Sequence, residues 1–261
     1  MDTGFYIFLF IAGFLTGIAS GLLGIGGGLI IIPTLKYVPE LIGLKSLNFH
    51  LITGISSMQT VFGTTAASFF HRKTGNVNYF LVINIGIGIA VGALLGSIGS
   101  KYISEEILLI VYGFFIAVPA VLLLTKKEPA ELTENNSKIN NSRWKFILIG
   151  FLVGVPSGSL GFAGSVVIVP LLNTVFEVPI KICISSGTHI AFITSIMSFI
   201  GKLGTGQIEL VSGVIISISS VTGAFIGTGL NKKAPTWLLK YILLGFIIIT
   251  LFRVVIDIFK L

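Results

Sequence analysis

The chain alternates long apolar runs with short polar breaks, and this pattern predicts an all-α, polytopic transmembrane helical bundle. Ten apolar runs cover most of the sequence, at 4–22, 26–38, 47–70, 78–100, 105–125, 145–160, 163–176, 182–203, 209–230 and 236–259. A spanning helix needs about 20 apolar residues, and backbone inside lipid must satisfy its own hydrogen bonds. The pattern therefore predicts roughly eight full spans, plus short or re-entrant segments where glycines interrupt the first runs of each half.

One polar stretch divides the pattern into two halves. Residues 126–144 carry Pro, Asn, Ser and charges of both signs, which is typical of an aqueous linker. The linker separates a first transmembrane repeat at 1–125 from a second at 145–261. Loops rich in Lys and Arg favour the cytoplasmic side, so we expect a cytoplasmic linker and extracytoplasmic termini. This topology places Lys202 on the extracytoplasmic side, which carries fewer positive charges.

The two halves resemble one another in sequence. The segment "GLLGIGGGLIIIP" at 21–33 matches "GSLGFAGSVVIVP" at 158–170, and further along the chain Gly92 matches Gly223. The order and nearly constant spacing of these matches indicate an internal duplication. Because each half crosses the membrane an odd number of times, the second half is predicted to be inverted relative to the first.

Composition agrees with a membrane protein and narrows its partners. Hydrophobic residues make up 54% of the chain and charged residues only 10%, and the mean hydropathy is +1.02. A soluble domain carries about 25% charged residues. The formal net charge of +7 lies in the breaks between apolar runs. We interpret it as loop charge that sets topology and expect no nucleic-acid partner. Cys183 is the single cysteine, so an intrachain disulfide is excluded.

Each half begins with a glycine cluster that breaks an apolar run. Glycines permit tight turns and close backbone approach, and the helix that follows starts with free N–H groups and a partial positive charge. Such a terminus is an anion-binding site. We therefore take Gly26, Gly27 and Gly28, with Gly164 and Ser165, as candidate substrate-binding residues. The alternative is that these small residues only allow close helix packing.

Two polar islands lie at matching places in long apolar helices. The island at 54–60 contributes Ser57 and Gln59, and the island at 186–190 contributes Thr188 and His189. Polar groups at this depth tend to face a cavity or a partner, so we take all four as candidate substrate-binding side chains. The alternative is that they bond back to their own helix. His189 is also a candidate for proton coupling, because histidine titrates near neutral pH. A purely structural histidine is the other interpretation.

The residue types that are missing favour an anionic substrate. The long helices lack a central Asp, Glu, Lys or Arg, whereas buried carboxylates are common in cation pumps. We expect neither a cofactor nor a metal. An intramembrane serine hydrolase using Ser157 or Ser159 with His189 is a remote alternative. The stretch "GSLG" lacks the strand–turn–helix setting of a nucleophile elbow, so no catalytic residue is assigned.

The glycine-rich stretches resemble a known family. "GFLTGIASGLLGIGGGLIIIPTL" near the N-terminus, "GFLVGVPSGSLGFAGSVVIVPLL" after the linker and "GTTAASFFHRKTGNVNY" at 63–79 are similar to the sulfite exporter TauE/SafE family. This family is also called the toluenesulfonate uptake permease family, and the resemblance covers nearly the whole chain. It implies secondary transport of sulfite, sulfonates or related small anions across a prokaryotic inner membrane. Ala163 and Ser165 replace Gly26 and Gly28 in the second half, so the two helix starts are predicted to differ.

Together these features predict a secondary transporter in the cytoplasmic membrane. It would move a small anion, expected to be a sulfur oxyanion or an organosulfonate, by alternating access between the two halves. Its partners would be this anion and the lipid bilayer, with a homodimer as one option for its oligomeric state. The alternatives are a passive anion channel of the same fold and the serine hydrolase.

Overall fold

The described part of the chain is helical, as the apolar pattern predicts. The structure is a computed structural model, and it describes residues 3–23, 27–44, 47–72, 77–125, 143–231, 245 and 248–257. Its α-helices are α1 (Thr3–Leu23), α2 (Gly28–Leu41), α3 (Phe49–Arg72), α4 (Tyr79–Gly99), α5 (Glu105–Thr125), α6 (Arg143–Leu160), α7 (Ser165–Thr174), α8 (Ile180–Gly204) and α9 (Leu210–Asn231). A 3-10 turn, Ser100–Tyr102, follows α4, and residues 248–257 are also helical. No strand occurs among the described residues.

Helix length separates spanning helices from short ones. Within the described residues, four segments are long and apolar enough to cross a membrane: Tyr79–Tyr102, Glu105–Leu122, Ile182–Gly204 and Leu210–Gly227. The helices α2 and α7 are short, with 14 and 10 residues. Each of these two follows a glycine cluster, at the position where the sequence predicts an interrupted run. Most of the predicted linker, at 126–142, lies outside the described residues.

The surface of the bundle is apolar and much of its interior is polar, which is the distribution expected in lipid. On α4 the side chains of Ile83, Ile87, Val91 and Leu95 recur every fourth residue and are each at least 50% exposed. The buried polar side chains are mostly Ser and Thr hydroxyls. Such an outward apolar stripe would aggregate in water, so it indicates a helix that faces acyl chains.

Glycines bring α4 and α6 into close parallel contact. Gly88, Gly92 and Gly96 recur every fourth residue on α4, and Gly150, Gly154 and Gly158 do so on α6. A Cβ on Gly92 would lie 2.5 Å from the carbonyl oxygen of Phe151, and a Cβ on Gly154 would lie 2.8 Å from that of Ile89. Small residues at this spacing let helix backbones approach in lipid, where van der Waals packing stabilises helix association.

Glycines also bring α1 and α9 into close contact. Gly13 faces Ile216, Gly17 faces Ser220, and Gly223 faces Phe14, so side chains are excluded at each of these points. In the duplication predicted from the sequence, α1 corresponds to α6 and α9 corresponds to α4. The α1–α9 and α4–α6 interfaces are therefore counterparts, and each joins a helix of one half to a helix of the other.

Helices α3 and α8 are the most central pair. Both contact helices from each half, and residues 52–60 of α3 are buried without interruption. The two helices run antiparallel along one another. Lys202 near the end of α8 donates to Thr53 near the start of α3 at 3.0 Å, and the hydroxyls of Thr64 and Ser195 lie 3.0 Å apart.

Candidate functional site

The start of α2 lies inside the bundle, against polar side chains of α3. Gly27 precedes the helix with a φ of 67°, a left-handed conformation that favours glycine. A Cβ on Gly27 would lie 3.1 Å from Nε2 of Gln59 and 3.5 Å from Oγ of Ser20. A Cβ on Gly28 would lie 2.8 Å from Oγ1 of Thr60 and would collide with Phe162. The structure therefore brings Gly27, Gly28 and Gln59 together. Gly26 lies outside the described residues.

Gln59 has one polar atom without a hydrogen-bond partner at this place. Its Nε2 donates to Oγ1 of Thr16 at 3.1 Å and to Oγ of Ser220 at 2.9 Å, which ties α3 to α1 and α9. Its Oε1 is buried and has no hydrogen-bond partner, and the side chain is only 1% exposed. Buried polar atoms are nearly always paired, so this oxygen is one of the few exceptions among the described residues. The Thr16 hydroxyl donates its single proton to the carbonyl oxygen of Ala12 at 2.8 Å, so its oxygen accepts from Gln59 and fixes the orientation of the amide.

The start of α7 has a different environment. Gly164 precedes α7 with a φ of −60°, and the left-handed glycine of this turn is Gly161, with a φ of 72°. A Cβ on Gly164 would lie 2.6 Å from Cδ1 of Ile89, 3.2 Å from Oγ of Ser157 and 3.4 Å from Cγ1 of Val153, so this start packs on two apolar side chains and one hydroxyl. Ser165 is buried beside Gly187 of α8. The two helix starts thus differ in geometry and surroundings.

The turn before α7 nevertheless reaches the start of α2. Oγ of Ser56 on α3 donates to the carbonyl oxygen of Gly161 at 2.9 Å. Phe162 follows immediately and packs against Gly28. Its ring also contacts those of Tyr112 and Phe115 on α5, with centroids 6.3 and 5.3 Å apart. The glycine turn before α7 therefore packs against the start of α2.

The remaining predicted side chains bond back to their own helices. Ser57 donates to the carbonyl oxygen of Gly54 at 2.6 Å, and Thr188 donates to that of Ile184 at 2.7 Å. His189 holds the carbonyl oxygen of Ser185 with Nδ1 at 2.9 Å. Among the described residues, no hydrogen bond joins these three side chains to Gly27, Gly28 or Gln59. Their roles in substrate binding and proton coupling stay predictions.

The serines of the alternative hydrolase dyad point elsewhere. Ser157 donates to the carbonyl oxygen of Val153 at 2.7 Å, and Ser159 donates to that of Pro156 at 2.8 Å. Neither hydroxyl is hydrogen-bonded to His189 in the described part of the chain. A nucleophile needs its base within hydrogen-bond reach, so this arrangement does not assemble a dyad. The described residues also contain no cluster of three His, Cys, Asp or Glu side chains that would hold a metal.

Lys202 is the residue that the sequence reasoning missed. The predicted topology places it among the loop charges, but its side chain is fully buried near the end of α8. Its Nζ contacts Thr53, Ser100 and Gln207. The signal that would have found it is helical spacing. Thr194, Ser198 and Lys202 recur every fourth residue, so all three share one face of α8, and the two hydroxyls on that face are buried.

Comparison with known proteins agrees with this architecture. A probable membrane transporter protein of Methanocaldococcus jannaschii is 26% identical over 235 residues, which cover 86% of each chain. The probable membrane transporter protein YunE of Bacillus subtilis is 21% identical over 88% of this chain and 90% of its own. One from Xylella fastidiosa is 28% identical over 86% of this chain and 83% of its own. No solved structure matches.

The family comparison covers both halves of the chain, the glycine turns and the buried polar side chains described above. The model described as "Sulfite exporter TauE/SafE" matches residues 9–254. The chain belongs to the sulfite exporter TauE/SafE family of membrane proteins.

Proposed function

We propose that this chain is a secondary transporter that moves a small anion across the cytoplasmic membrane by alternating access. The expected substrate is a sulfur oxyanion or an organosulfonate, as the family's description suggests. The observation that carries the proposal is the start of α2, which is buried inside the bundle at Gly27 and Gly28 and lies beside the side-chain amide of Gln59. Backbone N–H groups at the partially positive end of a helix bind an anion without a formal charge.

The charge of the interior supports an anion over a cation. Within the described residues no Asp or Glu side chain is buried, whereas Lys202 is fully buried. Serine and threonine hydroxyls make up most of the other buried polar groups, and they can donate to oxyanions. A cation pathway would instead need buried carboxylates or converging carbonyl oxygens.

The helix arrangement supports an inverted repeat. Helices α3 and α8 occupy corresponding positions in the duplication and run antiparallel, which is what an inverted second half requires. The paired interfaces of α1 with α9 and α4 with α6 follow the same correspondence. In this topology the 126–144 linker is cytoplasmic and both termini are extracytoplasmic. Rocking one half against the other would then expose the start of α2 to each side of the membrane in turn.

Transport by the purified protein in liposomes tests the proposal. We expect saturable uptake of radiolabelled sulfite or methanesulfonate, and no saturable uptake of sodium or potassium ions. Unlabelled anion trapped inside the vesicles should accelerate entry of labelled anion, because a carrier returns faster when it is loaded. Protein-free liposomes give the background. Absence of saturable uptake for sulfite, thiosulfate and several sulfonates would contradict the proposal.

A variant at the site sharpens this experiment. Gln59→Glu keeps the shape of the side chain but adds a negative charge beside the start of α2, so the KM for the anion should rise at least about tenfold. Fluxes that exceed carrier rates and show no acceleration by internal anion would indicate the channel instead. Labelling of the protein by a serine-reactive fluorophosphonate would indicate the hydrolase.

A further inference from the structure

Lys202 lies at a junction of four elements and is completely buried. Its Nζ is 3.0 Å from Oγ1 of Thr53 on α3, 3.2 Å from Oγ of Ser100 after α4 and 3.3 Å from Oε1 of Gln207 in the loop before α9. All four side chains are at most 5% exposed. The contacts join the first half of the chain to the second, so they must rearrange if the halves move apart.

The hydrogen-bond partners of Nζ suit an ammonium ion. The Thr53 hydroxyl donates to the carbonyl oxygen of His50 at 2.9 Å, so its oxygen can only accept from Lys202. Nε2 of Gln207 donates to the carbonyl oxygen of Ser97 at 3.0 Å, which turns Oε1 toward Lys202. The Ser100 hydroxyl has its single proton on Ser97 or Gln207 and also accepts. Three acceptors match three N–H donors, and a neutral amine has only two.

This positive charge has no negative partner in the described part of the chain. Glu105 and Glu209, which follow Ser100 and Gln207 closely in sequence, serve helix starts instead. Oε2 of Glu105 accepts from the backbone N–H of Phe49 at the start of α3, at 3.2 Å. Oε2 of Glu209 accepts from the N–H of Ser212 at the start of α9, at 3.1 Å. The nearby C-terminal ends of α4 and α8 supply only partial negative charge.

Buried hydroxyl side chains of α3 lie between Lys202 and the start of α2. Thr53, Ser56 and Thr60 recur along one face of α3, and all three are buried. Thr53 also contacts the turn at Gly161, whose carbonyl oxygen accepts from Ser56, and Ser56 in turn lies against Gly28. Thr53 and Gln59 are less than two helical turns apart, which is roughly 9 Å along the helix axis. Each of the three hydroxyls donates its proton to a backbone carbonyl oxygen, so an anion between these two places would need the hydroxyls to rotate.

We propose that Lys202 is a second anion-binding residue of the transport path. When the junction opens, the transported oxyanion replaces Thr53, Ser100 and Gln207 as the hydrogen-bond acceptor of the ammonium group and supplies the missing negative charge. This inference rests on the proposed anion transport and names the charged group that would attract and hold the substrate. Charge-assisted hydrogen bonds to an oxyanion are stronger than those to neutral oxygens, which favours the exchange.

Substitution of Lys202 tests the inference against a matched control. Lys202→Gln should raise the KM for sulfite in liposomes at least about tenfold and reduce the thermal stabilisation of the detergent-purified protein by sulfite. Lys202→Arg keeps the charge and should retain more affinity than Lys202→Gln. Lys101→Gln removes an equal charge from an exposed side chain next to Ser100, so its KM should equal that of the unmodified protein.

A second variant covers the case in which Lys202→Gln fails to fold. Gln207→Glu places a carboxylate beside the ammonium group without removing it, so this internal anion should compete with sulfite and raise the KM. If either folded variant keeps the unmodified KM and thermal stabilisation, the role of Lys202 is wrong while anion transport still stands. If the unmodified protein neither transports nor is stabilised by any anion tested, the proposed function itself fails, and the inference with it.

Discussion

At the scale of single residues, two neighbouring glycines let the start of α2 pack closely against α3. Gly27 adopts a left-handed conformation, and Gly28 touches Ser56, Thr60 and Phe162 where any side chain would collide. The sequence predicts both as site residues because they sit in a glycine cluster. Gly27 is required by its backbone conformation and Gly28 by the close approach of its neighbours. The sequence alone does not show this difference, because it depends on where α3 lies.

Replacing Gly28 should therefore destabilise the protein. We expect Gly28→Ala to lower the free energy of unfolding by about 1–3 kcal/mol, because the new methyl group overpacks the contact with Thr60 and Phe162. Thermal unfolding in detergent measures the change. Gly63→Ala on α3 is the matched control, since its Cβ would meet no atom within 4 Å. It should be neutral or stabilising by up to about 1 kcal/mol. Equal melting temperatures for both variants would contradict this account.

His189 offers a residue-scale test of proton coupling. The carbonyl oxygen of Ser185 can only accept, so Nδ1 carries the proton of the neutral ring and Nε2 is the atom that would take up another. If His189 couples transport to protons, His189→Ala should abolish the acceleration of anion uptake by an inward proton gradient. Exchange of internal for external anion should persist. An unchanged response to the gradient would assign the histidine a structural role only.

At the scale of elements, the repeat in the sequence becomes a repeat of interfaces. The matched glycines, which look like weak evidence one by one, form the α4–α6 and α1–α9 contacts. Periodicity predicted that these residues share a helix face, but it did not say which helix they would meet. That choice depends on shape, because only a partner with backbone exposed at the same spacing fills the groove that glycines leave.

The α4–α6 interface should not tolerate larger side chains in place of its glycines. Gly92→Leu should separate the two helices and destabilise the protein by about 3 kcal/mol or more, because even a Cβ lies 2.5 Å from the Phe151 carbonyl oxygen. The loss should be visible as aggregated protein in size-exclusion chromatography. Leu95→Val, on the exposed face of the same helix, should change stability by less than about 0.5 kcal/mol. A monodisperse Gly92→Leu protein with normal stability would show that the interface is not close-packed.

At the scale of the whole molecule, the antiparallel contact of α3 and α8 joins the two halves along their length. Lys202 and Thr53 meet at one end of this contact, and Ser195 and Thr64 meet further along it. Toward the other end, the backbone N–H of Asn78, after α3, donates to Oγ of Ser186 on α8 at 3.0 Å. Alternating access requires these helices to shift against each other, and a covalent link would prevent that shift.

A disulfide between α3 and α8 tests this motion. With Cys183→Ser to remove the natural thiol, Thr64→Cys and Ser195→Cys place two thiols where hydroxyls now lie 3.0 Å apart. We expect oxidation to abolish uptake and a reductant to restore it. Each single cysteine variant should be insensitive to oxidant. Full transport by the cross-linked protein would mean that the halves do not move at this contact.

The sequence and the structure agree best where a property is local. Apolar runs predicted the helices, and glycine clusters predicted the interruptions before α2 and α7, because hydrophobicity and backbone freedom belong to each segment alone. The match to the TauE/SafE family over residues 9–254 confirms the resemblance read from the glycine motifs. Burial is not a local property, and Lys202 shows this. A lysine close to a polar turn is usually exposed, but Lys202 is fully buried.

By itself, then, the sequence determined the helical membrane class and the family, because both are written in composition, periodicity and spacing, and it predicted a duplication. Only the tertiary structure decided that Gln59 leaves an unpaired oxygen beside α2 and that Ser57, Thr188 and His189 bond to their own helices. It also decided that Lys202 is enclosed. Burial and hydrogen-bond partners depend on which helices meet, and residues far apart in the chain, such as Thr53 and Lys202, settle that together.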